Sequence, residues 1–325
     1  MRILVVDDEK DVLDLIELAL LSFGGYEVCL ASTAKKALAT IASSREKFDL
    51  LLLDIQMPGM TGIDLCKAIR ELPAYRYVPI IMITAMSDKE KIDQAFAVGA
   101  TDYLNKPFDI TELKHRIGLA EKAAFQSEQL TESALSGRKL VKEAQTGNPC
   151  SIVDPIPIDD VDGVVRVHVF ENYLKQMSRL QFSHTRLLVV KVSNIAAIHS
   201  RCTGREFADQ VTDISECIAS SLYGAPLIAY FGGGIFCIAI DSEYTRNIND
   251  TLMHIEDAIF QLAMIFRNGD PVAVDLNAEE IMKPSVFSLT GSVAFVDQLV
   301  QELRCPTTSE LSGDLANASN VDSAP

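Results

Sequence analysis

Short apolar runs in the first 110 residues end in polar residues, and this pattern constrains the fold more than any other feature of the chain. Asp7 and Asp8 follow the run 3–6, Asp54 follows the run 50–53, and Thr84 closes the run 80–83. Apolar runs of this length between amphipathic helical patterns are typical of a parallel sheet buried on both faces. We therefore predict an α/β domain whose strands lie near residues 2–6, 26–31, 49–53, 79–84 and 101–104.

The polar residues at these strand ends indicate a site for a divalent cation and a phosphoryl group. In such sheets the chemistry lies beyond the carboxyl ends of the strands, so these side chains should meet at one edge. Two like charges 4 Å apart repel by about 4 kcal/mol at an effective dielectric of 20, and a hard cation such as Mg²⁺ relieves this. One carboxylate can then attack phosphorus, while the ammonium of Lys106 and the hydroxyl of Thr84 bind phosphoryl oxygens. The alternative is that these acids are solvated loop residues.

Four stretches within residues 1–118 resemble the two-component receiver (CheY-like) family. They are ILVVDDE at 3–9, LDIQMPGMTG at 53–62, ITA at 83–85 and GATDYLNKPF at 99–108. The resemblance implies a flavodoxin-like, doubly wound, five-stranded parallel sheet. It also implies a histidine kinase or phosphotransfer protein as phosphodonor, a homodimer formed through the receiver, and a cis bond between Lys106 and Pro107.

The same resemblance implies a role for each site residue. Asp54 is the phosphoacceptor, and Lys106 and Thr84 bind the phosphoryl group. Tyr103 is the switch aromatic that turns inward, with a half-buried strand aromatic as the alternative. The Mg²⁺ ligands are Asp7, Asp8, Asp54 and the backbone carbonyl of Gln56.

Residues 119–158 are predicted to form a helical linker and then an extended connector containing Pro155 and Pro157. Within the receiver, helices are predicted to start at the N-caps 32–33 and 87–88. The last receiver helix begins at Asp109; it could continue as a coiled coil, and residues 147–149 would stop any helix. A disordered tail is predicted over 305–325, and a second α/β domain over 159–304. The helices of this domain are placed near 168–181, 204–222, 247–267 and 297–304. Its strands are placed near 186–192, 271–276 and 286–296, with a hairpin of two strands over 227–240.

Residues 159–304 resemble, more faintly, the diguanylate cyclase (GGDEF) family, which has a nucleotidyl-cyclase palm fold. The matching stretches are DDVDGVVRVHVF at 159–170, YFGGGIF at 230–236 and TGSVA at 290–294. The acids that bind metal in this family fall on Lys191, Gly234 and Ile235. Its guanine-contacting positions fall on His199 and near 208–209, and its product-inhibition motif on 223–226, where YGAP cannot pair with phosphate.

These departures predict that the second domain does not make cyclic di-GMP, because two-metal phosphoryl transfer needs anionic ligands. We expect a response regulator that signals through a catalytically inactive GGDEF-like domain by contacts with a downstream protein. The alternatives are a GTP or cyclic di-GMP sensor, residual cyclase activity, or a phosphate sink with a spacer domain. Gly232–Gly234 could admit a phosphate to backbone amides, or be a bare hairpin turn.

Composition limits the remaining classes of partner and location. A formal net charge of −16 disfavours direct binding to nucleic acid or to an anionic bilayer. The seven cysteines show no CxxC pairing, and no signal peptide is recognised, so we expect reduced thiols and a cytoplasmic protein. The uncharged stretch 217–240 contains Pro226 and three glycines, which favours a hairpin over a membrane span.

Overall fold

The structure is a computed structural model, and it divides into two compact units, Met1–Gln145 and Thr146–Pro325. It describes residues 1–85, 89–122, 151–158, 161–177, 179–244, 246–281 and 291–304. Three predictions lie outside these residues: the helix cap at 87–88, the coiled coil beyond 122 with its stop at 147–149, and the disordered tail from 305.

The first unit alternates strands and helices along the chain. Its strands are β1 (Arg2–Val6), β2 (Glu27–Ala31), β3 (Leu50–Asp54), β4 (Ile80–Thr84) and β5 (Asp102–Asn105). Its helices are α1 (Lys10–Phe23), α2 (Ala34–Ser43), α3 (Gly62–Arg70), α4 (Lys89–Ala97) and α5 (110–122), with a 3₁₀ turn at Pro73–Tyr75. The strands form one parallel sheet in the order β2-β1-β3-β4-β5, which is the flavodoxin-like order.

The apolar runs become the buried centre of this sheet, as predicted. Every residue of β3 and β4 is buried, and Ile3 to Val6 in β1 have no exposed surface. Helix α2 begins where the sequence indicated, because the Thr33 hydroxyl accepts a hydrogen bond from the backbone N–H of Lys36. The predicted strand positions of the first unit are confirmed to within a residue.

The second unit contains a four-stranded antiparallel sheet in the order β7-β8-β6-β9. Its strands are β6 (Thr185–Val192), β7 (Leu227–Gly232), β8 (Ile235–Asp241) and β9 (Leu276–Glu280). Its helices are α6 (Val167–Gln176), α7 (Arg179–Ser183), α8 (Ile195–Ser200), α9 (Gly204–Ser221), α10 (Ile248–Leu262) and α11 (Gly291–Arg304). From β6 to β9 the succession is β-α-β-β-α-β, with the two helices α8 and α9 in the first crossover and with β7 and β8 joined as the predicted hairpin.

Three predictions for the second unit are wrong. The helix predicted over 168–181 is two helices, α6 and α7. The helix predicted to reach 267 ends at Leu262, because Ala263 adopts a left-handed conformation with φ of +50°. Residues 264–272 then form a turn closed by an isolated bridge between Ile265 and Pro271, so the strand predicted at 271–276 begins only at Leu276.

The prediction of a strand over 286–296 is also wrong for the residues that the structure describes. Residues 291–304 form the helix α11, which includes 291–294 of the stretch TGSVA matched to the GGDEF family. The buried residues of this helix recur at helical rather than alternating spacing: Phe295, Val296, Leu299, Val300 and Leu303.

Among the described residues, no helix combines the length and the apolar character needed to cross a bilayer. The stretch 217–240 instead contains the end of α9 and most of the β7–β8 hairpin, as the sequence favoured.

Candidate functional site

Three carboxylates meet at the carboxyl edge of the parallel sheet. Asp7 and Asp8 follow β1, Asp54 ends β3, and the register pairs Val6 with Leu53. Carboxylate oxygens of the three acids all lie within 4.8 Å of one another. Asp7 is fully buried and Asp54 is only 3% exposed, whereas Asp8 is exposed. These acids therefore form a cluster, which the pattern of strand ends predicted.

Lys106 places its ammonium group directly against this cluster. Its Nζ lies 2.8 Å from Asp7 Oδ2 and 3.1 Å from Asp54 Oδ1. The peptide bond between Lys106 and Pro107 is cis, as the resemblance implied, and the Lys106 N–H donates to the Thr84 carbonyl at 2.6 Å. Lys106 also pairs with Glu9 Oε1 at 3.2 Å. Sequence reasoning had not placed Glu9 in the site, although it stands next to Asp8 in the matched stretch.

The pKa of Asp54 is raised from its ordinary value to about 6. Burial is the largest cause, Lys106 opposes it, and the charges of Asp7 and Asp8 add to it. Burial alone would lower the pKa of Lys106. The hydrogen bond to Asp7 and the charge of Asp54 outweigh burial, so the pKa of Lys106 is raised and the group stays cationic.

The other predicted residues lie on the neighbouring strands and loop. Thr84 is the buried last residue of β4, and its register partner is Asn105 at the end of β5. Gln56 lies in the exposed loop two residues beyond Asp54. The roles predicted for these residues stay predictions.

Tyr103 is buried in this structure, with 8% of its surface exposed. Its ring packs edge-to-face on Phe96 with centroids 6.1 Å apart, and burial raises the pKa of its hydroxyl. Both the switch role and the strand-aromatic alternative require an aromatic ring at this position.

Gly62 packs closely against the end of β3, and sequence reasoning had not assigned it a role. Its N–H donates to the Ile55 carbonyl at 3.0 Å. A Cβ at this position would collide with the backbone carbonyl of Asp54. A side chain here would therefore displace the end of β3, and the glycine that closes the stretch 53–62 was the available signal.

The cluster is chemically suited to a divalent cation. Carboxylate oxygens are the preferred ligands of Mg²⁺, and Asp7 Oδ2 is a buried oxygen 2.8 Å from Lys106 Nζ. The raised pKa of Asp54 indicates that further positive charge would stabilise its ionised form. Asp7, Asp8 and Asp54 are the residues that would hold the ion.

In the second unit, the positions matched to metal-binding acids lie opposite each other but carry no acid. The antiparallel register pairs Lys191 at the end of β6 with Ile235 at the start of β8. Lys191 is exposed, whereas Ile235 is 1% exposed. His199 packs edge-to-face on Phe207 with centroids 4.7 Å apart. The described residues of this unit contain no cluster of three metal-ligating side chains.

Comparison with known proteins identifies the first unit. The family described as response regulator receiver domain matches residues 3–118. The transcriptional regulatory protein YvrH of Bacillus subtilis is 39% identical over 132 residues, which are 40% of this chain and 53% of that protein. The response regulator PleD of Caulobacter vibrioides is 36% identical over 139 residues, 43% of this chain and 30% of that protein.

The chain thus spans about half the length of YvrH and less than a third of PleD. Among solved structures, the chemotaxis protein CheY4 of Vibrio cholerae is 35% identical, with a TM-score of 0.35. That match covers 37% of this chain and 97% of CheY4.

Proposed function

Because residues 3–118 form a response regulator receiver domain, we propose that this chain accepts a phosphoryl group on Asp54 and signals through a non-catalytic second domain. The donor is a histidine kinase or a phosphotransfer protein, since receiver domains interact with these partners. The observation that carries the proposal is the meeting of Asp54 with Asp7, Asp8 and Lys106 at one sheet edge.

The side chains of the cluster have different roles in phosphoryl transfer. A carboxylate oxygen of Asp54 attacks phosphorus, an O–P bond forms, and the P–N bond to the donor imidazole breaks. Lys106 then pairs with a phosphoryl oxygen, and the Thr84 hydroxyl donates to another. Mg²⁺ held by Asp7, Asp8, Asp54 and the Gln56 carbonyl would neutralise charge on the transferring group.

Two features support a second domain that resembles GGDEF proteins in fold and has lost their catalysis. The β-α-β-β-α-β succession and the antiparallel strand order are compatible with a palm domain. The register brings Lys191 and Ile235 together where that family has metal-binding acids. An ammonium group repels a cation and a buried aliphatic side chain offers no ligand, so this arrangement favours signalling by protein contact over cyclase activity.

The receiver half of the proposal is tested by incubating the full chain with acetyl phosphate and Mg²⁺ and measuring the intact mass. We expect one phosphoryl group per chain in the wild type, uptake lost on adding EDTA, and no uptake in Asp54→Ala. The matched control is Asp14→Ala, since Asp14 is an exposed acid on α1 outside the cluster. Uptake that persists in Asp54→Ala, or that ignores EDTA, would show that the site is wrong.

A further inference from the structure

The triple-glycine turn between β7 and β8 is covered by the chain that enters the second unit. The N–H of Gly233 donates to the backbone carbonyl of Ile152 at 2.6 Å. This bond joins two segments about 80 residues apart in sequence. The turn is therefore neither bare nor open at this amide, because residues 152–154 of the connector occupy it.

The fit between the two segments depends on glycine at position 232. A Cβ there would collide with the Val153 carbonyl and lie 2.6 Å from its carbon and 3.0 Å from the carbonyl carbon of Asp154. At Gly233 an added Cβ would meet nothing within 4 Å. The close approach of backbone to backbone is thus specific to Gly232, which a hairpin turn alone would not require.

The connector itself is weakly held compared with the sheet it touches. Residues 151–158 contain no helix or strand, and Ile158 is their one buried residue. Ile152 and Ile156 pack partly buried against the core, whereas Val153 is 56% exposed. Pro155 and Pro157 have no N–H to donate to a ladder. A segment with few buried contacts opens at a lower free energy than the strands β6 and β8.

We propose that residues 152–154 form a latch on Gly232–Gly234 that opens independently of the rest of the second unit and transmits the state of the receiver to the β7–β8 hairpin. The latch lies in the connector that follows the receiver, so a change in the position of that connector acts first on this contact. The transmitting role rests on the proposed phosphorylation of Asp54.

Hydrogen–deuterium exchange of the full chain, read by mass spectrometry on peptides from 151–158 and 231–236, tests the latch. We expect the Gly233 amide to exchange at least about a hundredfold faster than core amides of β6 and β8, as local opening requires. Gly232→Ala should speed this exchange by about tenfold, the size of one lost hydrogen bond. Adding beryllofluoride with Mg²⁺ should change the exchange rate of the Gly233 amide in the wild type and not in Asp54→Ala.

Gly233→Ala is the matched control, because it also places a side chain at positive φ but meets no neighbour. Ile152→Ser weakens the latch from the connector side without touching the turn, so it replaces Gly232→Ala if that variant does not fold. If the Gly233 amide exchanges no faster than the core amides of β6 and β8, the latch does not open independently and the proposal is wrong. Unchanged exchange in a chain whose intact mass shows a phosphoryl group on Asp54, or whose native mass shows bound beryllofluoride, would overturn the transmission. Absence of both would instead remove the proposed function, and the transmitting role with it.

Discussion

Asp54 is a buried acid among other acids, and this environment decides both its chemistry and its energetic cost. Only 3% of the residue is exposed, and carboxylate oxygens of Asp7 and Asp8 lie within 4.8 Å of its own. Lys106 supplies a positive charge 3.1 Å away, yet the pKa of Asp54 is still raised to about 6. The ionised carboxylate of Asp54 therefore makes the folded receiver less stable than it would be without this charge.

Replacing Asp54 by Asn should stabilise the receiver in a pH-dependent way when Mg²⁺ is absent. The pKa of this carboxyl rises from 3.8 in the unfolded chain to about 6 on folding, so ionisation costs stability as pH rises through this window. As pH falls well below 4 the group becomes protonated in both states and the cost disappears. With about 1.4 kcal/mol per pKa unit, Asp54→Asn should gain up to about 3 kcal/mol at pH 8 and less than about 1 kcal/mol at pH 4.

Scanning calorimetry in EDTA at both pH values measures this difference. Asp14→Asn, which removes an exposed acid of α1, controls for the change in net charge. A gain of equal size at pH 4 and pH 8 would contradict the assigned cause, as would a loss of stability at pH 8.

Helix ends explain why some elements of the second unit differ from their predicted bounds. The apolar pattern of α10 continues beyond Leu262, but Ala263 turns left-handed with φ of +50° and its N–H bonds to the Phe260 carbonyl. A sequence signal for this end was missing, since glycine is the usual residue in that conformation and the chain has alanine. By contrast, the start of α2 can be read from the sequence, because Thr33 is a favourable N-cap residue. That helix start was predicted correctly.

Ala263→Gly should therefore stabilise the second unit by about 1 kcal/mol, because glycine adopts this conformation without steric cost. Ala258→Gly, within α10, is the matched control and should destabilise by a similar amount, about 1 kcal/mol. Calorimetric or denaturant unfolding measures both changes. If the two substitutions shift stability in the same direction, the left-handed end of α10 is not the cause.

The whole molecule joins two sheets of different kinds. The parallel sheet of the first unit brings its polar residues to a single edge, which is why residues up to 100 positions apart form one cluster. The antiparallel sheet of the second unit pairs Lys191 with Ile235. The acidic cluster with its lysine therefore lies in the first unit, and the matched positions of the second unit carry no acid.

Incubating the full chain with GTP and either Mg²⁺ or Mn²⁺ should yield no cyclic di-GMP above a protein-free control, with or without acetyl phosphate. The physical reason is that neither Lys191 nor Ile235 supplies the anionic ligand that two-metal transfer requires. Chromatographic analysis of the products measures this. Protein-dependent formation of the dinucleotide would show that other residues bind the metals.

The receiver could be predicted from the sequence alone, because β1, β3 and β4 are apolar runs that end in polar residues and parallel strands bring such ends to one edge. Asp7, Asp8, Asp54, Thr84 and Lys106 were identified from this pattern and from the family resemblance. The pairing of Glu9 with Lys106 and the packing of Gly62 on the Asp54 backbone are seen only in the tertiary structure. The same holds for the connector that covers the triple-glycine turn. These contacts are made through backbone atoms or surface charges, which leave no periodic trace in a sequence.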